Sequence, residues 1–160
     1  MRYILLLMLL LPTIAQAMHR TPSARWINGY ASSLAHVYGL PDSVVAGVIM
    51  VESSGRIKAR GKHGEVGLMQ MKLSTAREVS GNAYLSASAL RKPVVNLALG
   101  IRHLANLRKQ FHGDLRLALL AYNRGPAAVY GDLFRGHVQP DRYLKLVKHY
   151  SQPISQVRFR

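Results

Sequence analysis

The chain has no cysteine, only three glutamates and a single tryptophan in 160 residues, and no apolar run as long as a membrane span. Without cysteine there is no disulfide framework, so the fold must be stable through its core alone, and no lipid acceptor follows the leader. Metal-dependent hydrolysis is set aside, because the seven histidines show no pair at three- or four-residue spacing. A spanning helix needs roughly 20 apolar residues, so a stable membrane anchor is not expected. Repeats, low-complexity tracts and Gly/Ser linkers are also missing, which leaves one compact domain.

Acidic residues are scarce, with 7 against 22 Lys and Arg, giving a formal net charge of +15. Such a charge favours anionic partners by long-range attraction. The charge is spread along the chain, so a generally solvated surface and a specific binding face both remain open. Residues 1–17, "MRYILLLMLLLPTIAQA", join a basic start to a leucine-rich centre and a small-x-small exit at Ala15 and Ala17. They read as a cleavable secretory signal, with residues 18–160 as the single domain of a periplasmic or secreted protein. An exported chain meets cell wall and membrane surfaces before nucleic acid, so no nucleic-acid partner is expected.

Apolar residues recur at helical spacing from Trp26 to Tyr38, Val44 to Glu52, Leu97 to Phe111, Leu115 to Tyr122 and Tyr143 to Tyr150. Breakers separate them at Gly39 with Pro41, Gly55, Gly61 to Gly67, Gly81, Gly113, Gly125 with Pro126, and Pro140. The expected fold is mainly α, about six to eight helices, with a small β-ribbon as an option near residues 55–67. Asp42 or Ser43 is expected to cap the second helix, and Asp114 the helix that leads into "AYNRG".

Glu52 closes the apolar stretch "VVAGVIMVE". Val45, Val48 and Ile49 lie seven, four and three positions before it, hence on its side of the helix. Partial burial disfavours a carboxylate's charged form and raises its pKa, which keeps a glutamate able to donate a proton near neutrality. A salt bridge to one of the many arginines, or a last-turn residue reaching solvent, is the alternative on this stretch alone.

Three further stretches follow in order: "GEVGLMQM" at 64–71, "NLALGIRHL" at 96–104 and "ALLAYNRGP" at 118–126. With Glu52 and Ser53 at a helix end, then Gly67, Leu68, Met69 and Gln70, then Asn96 and Gly100, then Ala121, Tyr122 and Asn123, the chain resembles the soluble lytic transglycosylase family. These are lysozyme-like enzymes that cut bacterial peptidoglycan. The resemblance covers roughly Leu40 to Tyr150 and implies a lysozyme-like helical domain. It also implies that Glu52 is the catalytic acid, acting on glycan strands as a monomer without cofactor or metal.

By the same resemblance Ser53, Gln70, Thr75, Tyr122, Asn123 and Tyr143 are the substrate-binding set, with the Tyr122 hydroxyl close to Glu52. Each has a second reading. A side-chain amide such as Gln70 can hydrogen-bond sugar hydroxyls or an N-acetyl group. Thr75 can instead cap a helix, Asn123 can hold its turn, and Tyr122 and Tyr143 can be core aromatics. Leu68 and Met69 read as core, and Asn96 and Gly100 as a helix-interior contact and a close-packing point.

Several positions depart from the family pattern. "SGRIKARG" lacks the aromatic and proline common after Glu-Ser, and Gly61 stands where serine is frequent. Glu65 replaces a common alanine, Lys72 and Leu73 a methionine and proline, and His103 a tyrosine. Glu65 opens an alternative: as a second carboxylate it would activate water and make the chain a hydrolytic muramidase, unless it only caps its turn or pairs with a base. A non-catalytic wall-binding module and a membrane-disrupting basic surface are further alternatives. The last predicts activity unaffected by Glu52→Gln.

Overall fold

A helix that starts at the surface needs acceptors for its first N–H groups, and Ser23 supplies one: its Oγ accepts from the Trp26 N–H at 3.2 Å. The helix so begun, α1 (Ala24–Val37), opens the computed structural model, which describes residues 23–136, 138 and 141–159. The expected leader 1–17 and the breaker at Pro140 lie outside the described residues. Among the described residues seven further helices follow: α2 (Asp42–Ser53), α3 (Leu73–Ser80), α4 (Ala87–Leu90), α5 (Pro93–Gln110), α6 (Leu115–Arg124), α7 (Pro126–Phe134) and α8 (Arg142–Tyr150). A 3-10 turn, Ile154–Gln156, comes last. The mainly α expectation holds.

Two boundaries differ from expectation. Neither Asp42 nor Ser43 caps α2, whose N-cap is Pro41 without a side-chain bond. Asp42 is instead its first residue, where a negative charge suits the positive helix end, and it accepts from Ser32 Oγ at 2.6 Å, tying α2 to α1. Asp114 does cap α6, accepting from the Leu117 N–H at 3.0 Å. Gly125, with φ of 82°, ends α6, but Pro126 then opens α7 rather than stopping the chain. A proline at the first helical position lacks an N–H that would have had no partner there anyway.

The ribbon is displaced and rudimentary. Two isolated antiparallel bridges, Arg60 with Val66 and Val66 with Met71, take the place of strands within 55–67. Positive φ at Gly64, Gly67 and Gln70 bends this backbone too often for a ladder to extend.

The core gathers around α5, which packs on α1, α3, α4 and α6, while α2 packs along α8. Leu97, Ile101 and Leu104 of α5 are fully buried, as are Val45, Val48 and Ile49 of α2. Each such side chain contributes about 1.5–3 kcal/mol through the water it sheds. The segment after α8 returns over α1, where Asn28 Nδ2 donates to the Ser155 and Val157 carbonyls at 3.4 and 3.3 Å. No helix among the described residues is long and apolar enough to cross a membrane.

Candidate active site

Glu52 sits one residue before the end of α2, half-buried behind the apolar stripe of Val45, Val48 and Ile49. Burial pushes its carboxyl above the ordinary value of 4.5, and the Glu65 charge adds to that. A hydrogen bond from Tyr143 Oη to Glu52 Oε1, at 2.7 Å, works in the opposite direction by favouring the anion. Tyr143 is itself buried on α8, so the expected late tyrosine is both a core aromatic and a direct partner of the acid.

That partnership depends on how closely α8 approaches α2. A methyl group added at Gly47 would stand 2.5 Å from the Val147 carbonyl oxygen. Glycine inside a helix costs about 1 kcal/mol relative to alanine, and here it lets the two backbones meet. This was the one sequence signal for the contact, and it lay unused in the middle of an apolar run.

Opposite Glu52 the Gly67–Gln70 turn is clamped from behind. Asn96 Oδ1 accepts from the Met69 N–H at 2.8 Å, and Asn96 Nδ2 donates to the Val66 and Leu90 carbonyls at 2.9 and 3.3 Å. Asn96 is fully buried and uses both ends of its amide, which explains its presence in a helix interior. A Cβ at Gly67 would meet the Asn96 side chain at 2.5 Å, and one at Gly100 would run into Met69. The spacing of Asn96 and Gly100 is therefore the imprint of one turn resting on one helix.

Tyr122 completes the clamp by donating to the Met69 carbonyl at 2.7 Å. Its hydroxyl is committed to the backbone, while the negative charge of Glu52 and, above all, burial hold its pKa well above 10.0. The ring faces His103, 5.4 Å away between centroids. Burial lowers the His103 pKa below 6.5 against the opposing charge of Glu78.

The cleft that these elements enclose has a volume of about 800 Å³. Glu52, Gln70, Thr75, Tyr122 and Asn123 all line it. Gln70 Nε2 is tied to the Gly67 carbonyl at 2.9 Å, which fixes the amide plane. Thr75 is the third residue of α3, not its cap. Ser53 is not brought to the cleft wall: it is buried, and its hydroxyl donates back to the Ile49 carbonyl at 3.0 Å. Such a back-bond satisfies a serine hydroxyl at a helix end.

Glu78, Asn106 and Gln110 line the cleft without having been expected. The signal was positional, since Asn106 and Gln110 follow His103 at helical spacing and Glu78 follows Thr75 by three. Glu65 is on the same wall, its side chain 19% exposed. It accepts from the His63 N–H at 2.9 Å and pairs with Lys72 at 3.4 Å. Hydrogen bonds from its own and the His63 backbone N–H, with Lys72, hold its pKa below 4.5 although burial opposes them.

The geometry has counterparts among known proteins. Over 83 residues the chain is 32% identical to the endo-type membrane-bound lytic murein transglycosylase A of Citrobacter koseri, covering 49% of this chain and 39% of that one. Over 91 residues it is 38% identical to the transglycosylase of Enterobacteria phage PRD1, covering 55% and 31% respectively. The chain thus spans well under half the length of these relatives. An inactive mutant of the lytic transglycosylase Slt from Pseudomonas aeruginosa superimposes with a TM-score of 0.63 at 28% identity, over 91% of this chain and 25% of that one. The 70 kDa soluble lytic transglycosylase of Escherichia coli shares the fold at a TM-score of 0.63 and 24% identity, over 81% of this chain and 22% of its own. The family model described as the transglycosylase SLT domain matches residues 29–134, from within α1 to the end of α7, and the chain belongs to that family.

Proposed function

We propose that the chain is an exported peptidoglycan lytic transglycosylase that cleaves the β-1,4 bond between N-acetylmuramic acid and N-acetylglucosamine. The observation that carries this reading is the half-buried Glu52, whose pKa is raised by burial and whose carboxyl is oriented by Tyr143 at the wall of a cleft. Murein and lytic transglycosylases among its relatives support the substrate and reaction class.

In the first half-reaction protonated Glu52 gives its proton to the bridging oxygen as the glycosidic bond breaks, and the leaving sugar departs as an alcohol. In the second, the Glu52 carboxylate takes the proton of the muramyl 6-hydroxyl, whose oxygen closes on its own anomeric carbon. The product is a 1,6-anhydro end, no water is consumed, and Glu52 is protonated again. The neighbouring N-acetyl group is placed to steady the cationic intermediate. Gln70, Thr75, Tyr122 and Asn123 form the glycan-facing wall, with Tyr143 acting through Glu52.

Residues 1–17 would serve as the export signal and residues 18–160 as one catalytic domain acting as a monomer at the wall. Glu52→Gln keeps the side chain's shape and its acceptor for Tyr143 but removes the transferable proton. Turbidity clearing of purified sacculi is expected to drop by at least about a thousandfold in the variant. Equal clearing by the variant would sink this mechanism and favour membrane disruption by the basic surface.

A further inference from the structure

Gly61, Glu65 and Lys72 are spatial neighbours. A Cβ at Gly61 would collide with Glu65 Oε2 and stand 2.9 Å from both Glu65 Cβ and Gln70 Oε1. The Glu65 carboxylate therefore occupies the room that any side chain at position 61 would need. Its other oxygen, Oε1, is paired with Lys72. Gly61, Glu65 and Lys72 thus form one contact series, glycine against carboxylate and carboxylate against lysine.

This unit is built into the cleft. The Gly61 N–H donates to the Glu65 carbonyl at 2.8 Å, so the loop is closed by backbone as well as by side chain. The His63 N–H at 2.9 Å, Lys72 at 3.4 Å and the backbone N–H of Glu65 itself all draw on the carboxylate's acceptor capacity. An ionised carboxylate can accept about four, so capacity is left over on a side chain that lines the same cleft as Glu52. Gln70 Oε1 lies against the same point, and its amide is locked by the Gly67 carbonyl. Two acceptor side chains that line the cleft, Glu65 and Gln70, therefore sit side by side beside Gly61, and what suits such a pair is a hydrogen-bond donor.

We infer that Glu65 is a specificity-determining residue of the glycan cleft: seated over Gly61 and anchored by Lys72, its carboxylate accepts a hydrogen bond from an N–H or O–H of the bound sugar. This role rests on the glycan-cleft reading above but gives Glu65 no part in bond cleavage. It differs from a serine at 61, whose hydroxyl could donate as well as accept. Charge-assisted acceptance of this kind strengthens binding and selects against groups that present only acceptors.

The test uses the Glu52→Gln chain, which binds without turnover, and soluble uncross-linked peptidoglycan strands titrated by calorimetry. Adding Glu65→Ala is expected to weaken binding about tenfold, equivalent to one charge-assisted hydrogen bond. Adding Gly61→Ser alone is expected to weaken it at least as much, since the new side chain displaces the carboxylate. Glu65→Gln, which keeps the shape, serves where Glu65→Ala does not fold, and is expected to lose affinity severalfold.

Unchanged affinity in Glu65→Ala, or in Glu65→Gln where the alanine variant does not fold, would overturn the inference. Failure of the proposed function is separately visible: the wild type would release no 1,6-anhydro ends, whatever the calorimetry shows.

Discussion

Glu52 holds two opposed influences at once. Burial and the Glu65 charge favour its acid form, while the Tyr143 hydroxyl favours its anion, which suits a group that must first give and then take a proton. Replacing Tyr143 by phenylalanine removes the opposing influence, so the Glu52 pKa rises further. The alkaline limb of the pH dependence of kcat/KM is then expected to move to higher pH. Turnover near neutrality is expected to fall about tenfold, because the carboxylate also loses its orientation. A limb that stays in place would show that Tyr143 only fills the core.

The same acid makes a stability statement. Its folded pKa lies above its unfolded one, so the stability it contributes is complete below the unfolded value of 4.5 and is lost as pH rises through the folded value. Glu52→Gln never carries the charge. The variant is therefore expected to unfold at a higher temperature than the wild type at about pH 8, with the difference gone at about pH 4. Scanning calorimetry at the two pH values reads this directly. Little of this balance was legible in advance: the apolar stripe gave the raised pKa, but Tyr143 lies 91 residues away and only tertiary packing brings it to Glu52.

At the scale of elements, the cleft is two close approaches. One is α8 against α2 at Gly47, and the other is the Gly67–Gln70 turn against α5 at Asn96 and Gly100. Asn96→Ala would orphan the buried Met69 N–H and open a cavity. The cost is expected to be about 3 kcal/mol, measured by urea denaturation, with glycan binding weakened because Gln70 loses its support. Gly47→Ala drives a methyl group into the Val147 carbonyl. Its expected cost is about 1–3 kcal/mol, together with a loss of turnover from a displaced Tyr143.

Element legibility followed burial pattern. α1, α2, α5 and α6 each bury three or more residues and could be read from them, and α8 was legible from large apolar residues four apart, Tyr143 and Val147. α3 buries only Ala76 and Val79, α4 is four residues long, and α7 begins at a proline that also reads as a stop. Of the optional ribbon near residues 55–67 only isolated bridges form, Arg60 with Val66 inside that span and Val66 with Met71 just beyond it.

Across the whole molecule the seven acids divide cleanly. Asp42 and Asp114 serve helix starts, Asp132 bridges Arg124 and Arg135, and Asp141 caps α8 while pairing with Arg124. All three glutamates line the cleft. The excess of positive charge therefore belongs mainly to the surface outside it, where it favours anionic partners by long-range attraction. Raising ionic strength from about 0.05 to 0.5 M is expected to raise KM severalfold with kcat little changed, as screening acts on encounter rather than on the enclosed acid. A fall in kcat with unchanged KM would place the charge effect inside the cleft instead.

The central claim is that one carboxyl group performs both proton transfers and water takes no part. Mass spectrometry of muropeptides released from purified peptidoglycan by the wild-type chain tests it most directly. The account requires products carrying 1,6-anhydro ends, lighter by one water than their hydrolytic counterparts. Products with reducing ends would contradict it and bring Glu65 into the chemistry as a second carboxylate.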